Sequence, residues 1–184
     1  MDNGHLNEEE IINAITIFGN KPLMVKDYVK SQKHYWDTAC FIPAASDREK
    51  VISVINRFWE LQGDDLNEGI VLREFVELAG LTVHSKSNMP LKQEYRLFFL
   101  NKKLIGCYDY WEEGNYPVAE KPPLDFFSQI AEGLHSHFFT LDVAKTTSGE
   151  WIIIETGDGK VTGLPDNANK TQFYKTMQEI FYPL

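Results

Sequence analysis

The sequence predicts a mixed fold of helices and antiparallel strands, built as one domain or as two small lobes that share a site. Three observations predict it. Segments of helical apolar periodicity, each with its own start and stop signals, alternate with strand-like apolar runs along the 184 residues. Hydrophobic residues make up 43% of the chain and aromatic residues 13%, enough to fill a core. Residues 137–159, HFFTLDVAKTTSGEWIIIETGDG, read as a β-hairpin. Its apolar runs 138–144 and 151–156 flank Ser148-Gly149, a dipeptide that tolerates the backbone angles of a tight turn.

The first helix opens at Asn7, a good N-cap, with Glu8, Glu9 and Glu10 at the positive end of its dipole and Gly19 as its stop. Residues 22–26 form a strand ending on Lys26, followed by Lys30, Ser31, Lys33 and His34. This local positive patch is either a phosphate site or a set of solvated lysines at a strand–loop junction. No glycine-rich loop accompanies it, which excludes an ordinary P-loop. Residues 35–43 read as a returning strand, and Ser46-Asp47-Arg48-Glu49 as a capping box that starts a helix through Gln62. Residues 70–78 read as a strand carrying Arg73, Glu74 and Glu77, charges that need a partner or ligand inside a sheet and face water at an edge.

Residues 79–93 have the weakest pattern and read as a long connection between lobes, a linker or lid. Two strands, 94–100 and 103–108, join near Asn101-Lys102. Arg96 sits among aromatic and aliphatic neighbours and needs an anion: Glu94, Asp142 or a ligand phosphate. A turn-rich loop, 110–123, leads to a helix over 124–137. His135 and His137 follow it without Cys or Asp at ligand spacing, which favours a surface role over zinc. Residues 161–169 form a loop, and Asn169 caps a last helix.

A net charge of −9 and a pI near 5.0 argue against non-specific binding to nucleic acid or to an anionic membrane, although a few local cations still suffice for phosphates. Cys40 and Cys107 are far apart and in no metal-ligand spacing, as expected of buried thiols in a reducing compartment. The first residues are acidic and polar, unlike a signal peptide, and no apolar run is long enough to span a bilayer. The expected location is cytoplasmic.

The chemistry converges on the hairpin. A tip at Ser148-Gly149 sets Asp142 directly opposite Glu155, with Cβ atoms about 5 Å apart on one face. Two acids there repel unless a cation lies between them, and Mg²⁺ is usually held by one or two carboxylates plus substrate phosphates. Asp142 and Glu155 are therefore a candidate divalent-metal site. The alternative is an edge hairpin with one solvated acidic face. Consecutive Ile152, Ile153 and Ile154 suggest that both faces of the second strand are buried, and Gly157 and Gly159 let the backbone approach a ligand.

The segments LMVKDYVKS, VLREFVEL, EYRLFFLNKKLIG and FFTLDVAKTTSGEWIIIETGDG, spread over residues 22–163, together resemble the ATP-grasp superfamily, in particular a divergent, uncharacterised branch of it. The resemblance implies an α+β fold of two lobes, each with an antiparallel sheet and helices, that hold ATP in a cleft between them. It implies lobes at 1–78 and 94–184 joined by the 79–93 segment. Lys26 matches a lysine on the α/β-phosphates, with Lys30 nearby. Glu74, Phe75 and Val76 match a hinge whose backbone meets the adenine edge, and Glu77 an acid that takes the ribose hydroxyls. Arg96 matches a basic residue facing the phosphates or an acyl phosphate, and Asp142 and Glu155 match Mg²⁺ ligands. The implied activity is ATP- and Mg²⁺-dependent ligation of a small-molecule or peptide carboxylate to an amine or other nucleophile, with Lys26 and Arg96 as its catalytic groups.

The chain departs from the family pattern in three places. Gly157 stands where an Asn usually follows the metal Glu, with Asp158 as a neighbouring substitute. Lys30, Ser31 and Lys33 stand where a glycine-bearing phosphate loop is usual. Only one helix precedes Lys26, where many relatives carry a further domain, so the chain reads as a fragment or a minimal version. Two other functions remain open: a nucleotide-binding module without turnover, and a structural or interaction domain in which Arg96 pairs with Glu94 or Asp142.

Overall fold

The computed structural model describes residues 6–85, 90–112, 114–116, 120–166 and 168–182. They fall into two compact units that divide between Val76 and Glu77.

In the first unit, α1 (Glu8–Ile15) starts where the Asn7 side chain accepts the backbone N–H groups of Glu9 and Glu10. A 3-10 turn and then Gly19, at φ 60°, end it. Strands β1 (Leu23–Lys26), β2 (Phe41–Ile42) and β3 (Val71–Glu74) make an antiparallel sheet in the order β2-β1-β3. Helix α2 (Arg48–Gln62) buries Val51, Val54, Ile55 and Phe58 against Leu23, Val25 and Ile42 of that sheet. Its N-cap is Asp47, which accepts the Lys50 N–H at 3.0 Å, and not Ser46 as the capping-box pattern suggests. Ser46 instead bonds the Asn20 side chain.

The strand expected over 35–43 shrinks to two residues. Trp36–Cys40 coils into one turn of π-helix, which puts Ala39 and Cys40 fully inside and stacks Trp36 on Phe41 with centroids 5.2 Å apart. The strand expected over 70–78 stops at Glu74, because β1 offers four residues to pair with.

The second unit holds β4 (Gly80–Val83), β5 (Pro90–Lys92), β6 (Glu94–Leu100), β7 (Lys103–Asp109), α3 (Leu124–Glu132), β8 (Phe138–Lys145), β9 (Trp151–Asp158) and α4 (Lys170–Phe181). Strands β7-β6-β8-β9 form a four-stranded antiparallel sheet in that order. The β6–β7 turn uses Asn101 (φ 46°) and Lys102 (φ 68°), and Lys102 donates to the Glu132 and Leu134 carbonyls at the end of α3. Helix α3 covers one sheet face through Phe127 and Ala131, packed with Tyr95, Leu97, Phe99, Leu141 and Val143. On the opposite face α4 brings Phe173, Met177 and Ile180 onto Phe98, Leu100 and Phe138 at one end only. Helix α3 is shorter than the expected 124–137; its cap lies at Gly133.

Residues 79–93 are not an unstructured connection. Strands β4 and β5 pair with each other, and the Lys145 carbonyl accepts the Ala79 N–H while the Lys145 N–H donates to the Gln93 carbonyl. The tip of this pair, 86–89, lies outside the described residues. Among the described residues no helix is long and apolar enough to cross a membrane.

Candidate functional site

Period-two alternation puts Glu94, Arg96 and Phe98 of β6 on the same face as Thr140, Asp142 and Ala144 of β8. Arg96 pairs with Asp142 in register, and Asp142 pairs with Glu155 of β9. The three charges therefore form one row across three strands.

The Asp142–Glu155 register arises differently from the two-residue tip that the sequence suggests. The tip has three residues, closed by the Thr146 N–H bonded to the Glu150 carbonyl at 2.8 Å, with Gly149 at φ 90°. That turn sets Lys145 opposite Trp151 and Val143 opposite Ile153, which on its own would put Ile154 opposite Asp142. A β-bulge between Asp142 and Val143 absorbs Ile154 and brings Glu155 into register. Strand β9 is the sheet edge, so Ile152, Ile153 and Ile154 are half-buried, not enclosed on both faces as expected.

Arg96 meets Asp142 through two parallel hydrogen bonds, Nε to Oδ1 at 2.8 Å and Nη2 to Oδ2 at 2.7 Å. The Asp142 side chain is 4% exposed and that of Arg96 19%. Arg96 also donates Nη1 to the Gly163 carbonyl at 3.3 Å, and its guanidinium lies 4.8 Å from the Tyr110 ring centroid. The hydrogen bonds from Asp142 raise the Arg96 pKa further, against the opposing effect of burial. Of the anions proposed for Arg96, Asp142 is the one it holds. Glu155 is exposed, and among the described residues its carboxylate has no hydrogen bond or ion pair. The row carries two negative charges and one positive, with the uncompensated charge on the exposed side.

The loop after β9 closes one end of this patch. Asp158 is a turn former: its carboxylate accepts the Lys160 N–H at 2.9 Å and its carbonyl the N–H groups of Val161 and Thr162. Its carboxylate is thus spent in the turn. The turn sets Thr162 Oγ1 3.3 Å from Thr140 Oγ1, and Thr140 lies opposite Gly157. A Cβ at position 157 would lie 2.6 Å from both hydroxyls. Glycine at 157 therefore has a local steric cause.

In the first unit Lys26 ends β1, and among the described residues it has no ion pair or side-chain hydrogen bond. The next residue, Asp27, is fully buried and carries no signal of its own in the sequence. It accepts the backbone N–H groups of Val29 (2.7 Å), Lys30 and Asn67 (3.3 Å), and the Gln62 amide at 2.6 Å. Burial opposes ionisation of Asp27, but these four donors together hold its pKa below the ordinary value. The 27–30 turn is therefore built on a carboxylate, without glycine, and exposes Lys30. Glu74 pairs with Lys21 at 2.7 Å, and the Phe75 N–H donates to the Pro22 carbonyl. The Glu77 carbonyl accepts the Thr147 N–H at 3.0 Å, while Val76 is exposed with no backbone bond among the described residues.

Among the described residues no three His, Cys, Asp or Glu gather as a metal cluster. Asp142 and Glu155 alone, with Asp142 already bonded to Arg96, do not suit an ion held by protein groups only. They do suit Mg²⁺ whose other positions are phosphate oxygens and water, since each carboxylate oxygen keeps a second lone pair.

The sheets, helices and charged row define an α+β fold of ATP-grasp type. The chain belongs to an ATP-grasp domain family, the third family of its clade, whose model matches residues 17–177. It is similar in structure to D-cycloserine synthetase DcsG, at 16% identity and a TM-score of 0.43, covering 94% of this chain and 61% of that one. It is also similar to D-alanyl-alanine synthetase A from Vibrio cholerae O1 biovar eltor, at 14% identity and a TM-score of 0.42, covering 94% of this chain and 50% of that one. The chain thus spans about half to three fifths of the length of these structures. Sequence comparison with curated proteins finds no match.

Proposed function

We propose that the protein is an ATP- and Mg²⁺-dependent ligase that activates a carboxylate as an acyl phosphate for displacement by an amine or other nucleophile. The observation that carries this reading is the Arg96–Asp142–Glu155 row: a buried, bidentate ion pair beside an exposed carboxylate in register with it. Family membership supplies the nucleotide.

Bound Mg²⁺ neutralises phosphate charge and orients the polyphosphate. Asp142 and Glu155 hold it. Arg96 keeps Asp142 ionised and fixed, and its remaining N–H groups stabilise charge on the transferring phosphoryl group. Lys26, carried on a strand end, contacts the α/β-phosphates, and Lys30 stands beside it on the turn braced by Asp27. Backbone groups of the 74–76 segment meet the adenine edge, and Glu77 takes the ribose hydroxyls. The substrate carboxylate attacks the γ-phosphorus, ADP leaves, and the nucleophile then displaces inorganic phosphate.

A second reading, nucleotide binding without turnover, draws support from the commitment of Arg96 to Asp142. Calorimetric titration with MgATP tests binding under both readings. ADP release across pools of carboxylic acids and amines separates them: turnover with any acid–amine pair establishes the ligase, and binding with none supports the module.

A further inference from the structure

Thr140 and Thr162 carry two hydroxyl protons but share one hydrogen bond, and among the described residues neither hydroxyl has another partner. Thr140 is 1% exposed, so Thr162 is the acceptor within its reach. Thr162 is half-buried, and its own proton is left to point outward. The group is held in place from three sides. The Asp158 carbonyl takes the Thr162 N–H at 2.9 Å, Thr140 supports the hydroxyl, and the adjacent Gly163 carbonyl is tied to Arg96. Gly157 leaves the space that both hydroxyls occupy. Thr140 and Gly157 are a cross-strand pair two residues along from Asp142 and Glu155 on the same face, one diagonal step of about 7 Å from the carboxylates.

We infer that the Thr162 hydroxyl, backed by Thr140, is a hydrogen-bond donor to a phosphate oxygen of the nucleotide. This deepens the proposed ligase reading and rests on it. A neutral donor suits the position. Asp142 and Glu155 repel the polyphosphate wherever it is not screened by cations, and a hydroxyl aimed from the rigid 158–163 turn anchors an anionic oxygen without adding a charge. The donor also links phosphate occupancy to Arg96, because Thr162 and Gly163 are consecutive.

The test is calorimetric titration of wild type, Thr162→Val and Thr162→Ser with MgATP, with the unliganded melting temperature of each. Valine keeps the volume and removes the donor; serine restores the donor. The expected result is a dissociation constant raised about tenfold or more in Thr162→Val, the scale of one hydrogen bond to a charged group. In Thr162→Ser it stays within about threefold of wild type. Wild-type affinity in Thr162→Val overturns the inference and leaves the ligase reading standing. Equal losses in both variants also overturn it, since the methyl packing is then what matters. If wild type itself does not bind MgATP at millimolar concentration, the ligase reading fails and this inference with it.

Discussion

Arg96 and Asp142 face each other across β6 and β8 and exchange two hydrogen bonds, 2.8 and 2.7 Å long, with Asp142 almost wholly shielded from water. Removing one partner leaves a buried charge unpaired. Arg96→Met should destabilise the protein by about 3–5 kcal/mol in urea unfolding. The double variant Arg96→Met/Asp142→Leu should recover most of that loss, because two apolar side chains leave no charge behind. A single-variant cost below about 1 kcal/mol would mean that water reaches the pair.

Asp27 ties the 27–30 turn to Gln62 and Asn67. Its folded pKa lies below the ordinary carboxylate value. Its contribution is therefore fully present above about pH 4 and is lost as pH falls through the depressed value. Asp27→Asn should cost about 1.5–3 kcal/mol at pH 7. The gap between variant and wild type should narrow steadily below about pH 4. A gap that stays constant from neutral pH into strong acid would contradict the ionised role.

Gly157 faces two hydroxyls that a Cβ would approach to 2.6 Å. Gly157→Ala should cost about 1–3 kcal/mol by overpacking, measured by thermal unfolding. The same change in a Thr140→Ala/Thr162→Ala background should cost much less, since both clashing oxygens are gone. Equal costs in the two backgrounds would locate the effect in the backbone.

Lys26 has no ion pair among the described residues. Lys26→Met should leave unliganded stability within about 0.5 kcal/mol of wild type, as for a surface substitution. MgATP affinity, read by calorimetry, should fall tenfold or more. A stability loss without an affinity loss would make Lys26 structural.

Much of this is legible in the sequence where local pattern and local cause coincide. Asn7 and Asn169 cap the helices that the spacing predicts, and Asp142 does oppose Glu155. That pairing, however, needs a three-residue tip and a bulge at Ile154, and turn chemistry alone does not reveal a bulge. The π-turn at Trp36–Cys40 reads as a strand because an apolar run bounded by charges looks alike in both states. Pairing of β4 with β5 depends on partners distant in sequence, such as Lys145. Asp27 is invisible because its donors come from Val29, Asn67 and Gln62, brought together only on folding. Gly157 stands out as a departure, but its cause lies in Thr140 and Thr162.

The most direct test compares the unfolding free energy of wild type and Glu155→Gln with and without MgATP. Glu155 is exposed, so the unliganded proteins should unfold alike. At a hundredfold excess over the dissociation constant, MgATP should stabilise wild type by about 2.7 kcal/mol and Glu155→Gln by far less. No stabilisation of wild type by millimolar MgATP, or equal stabilisation of both proteins, would contradict a metal–nucleotide site on this sheet face.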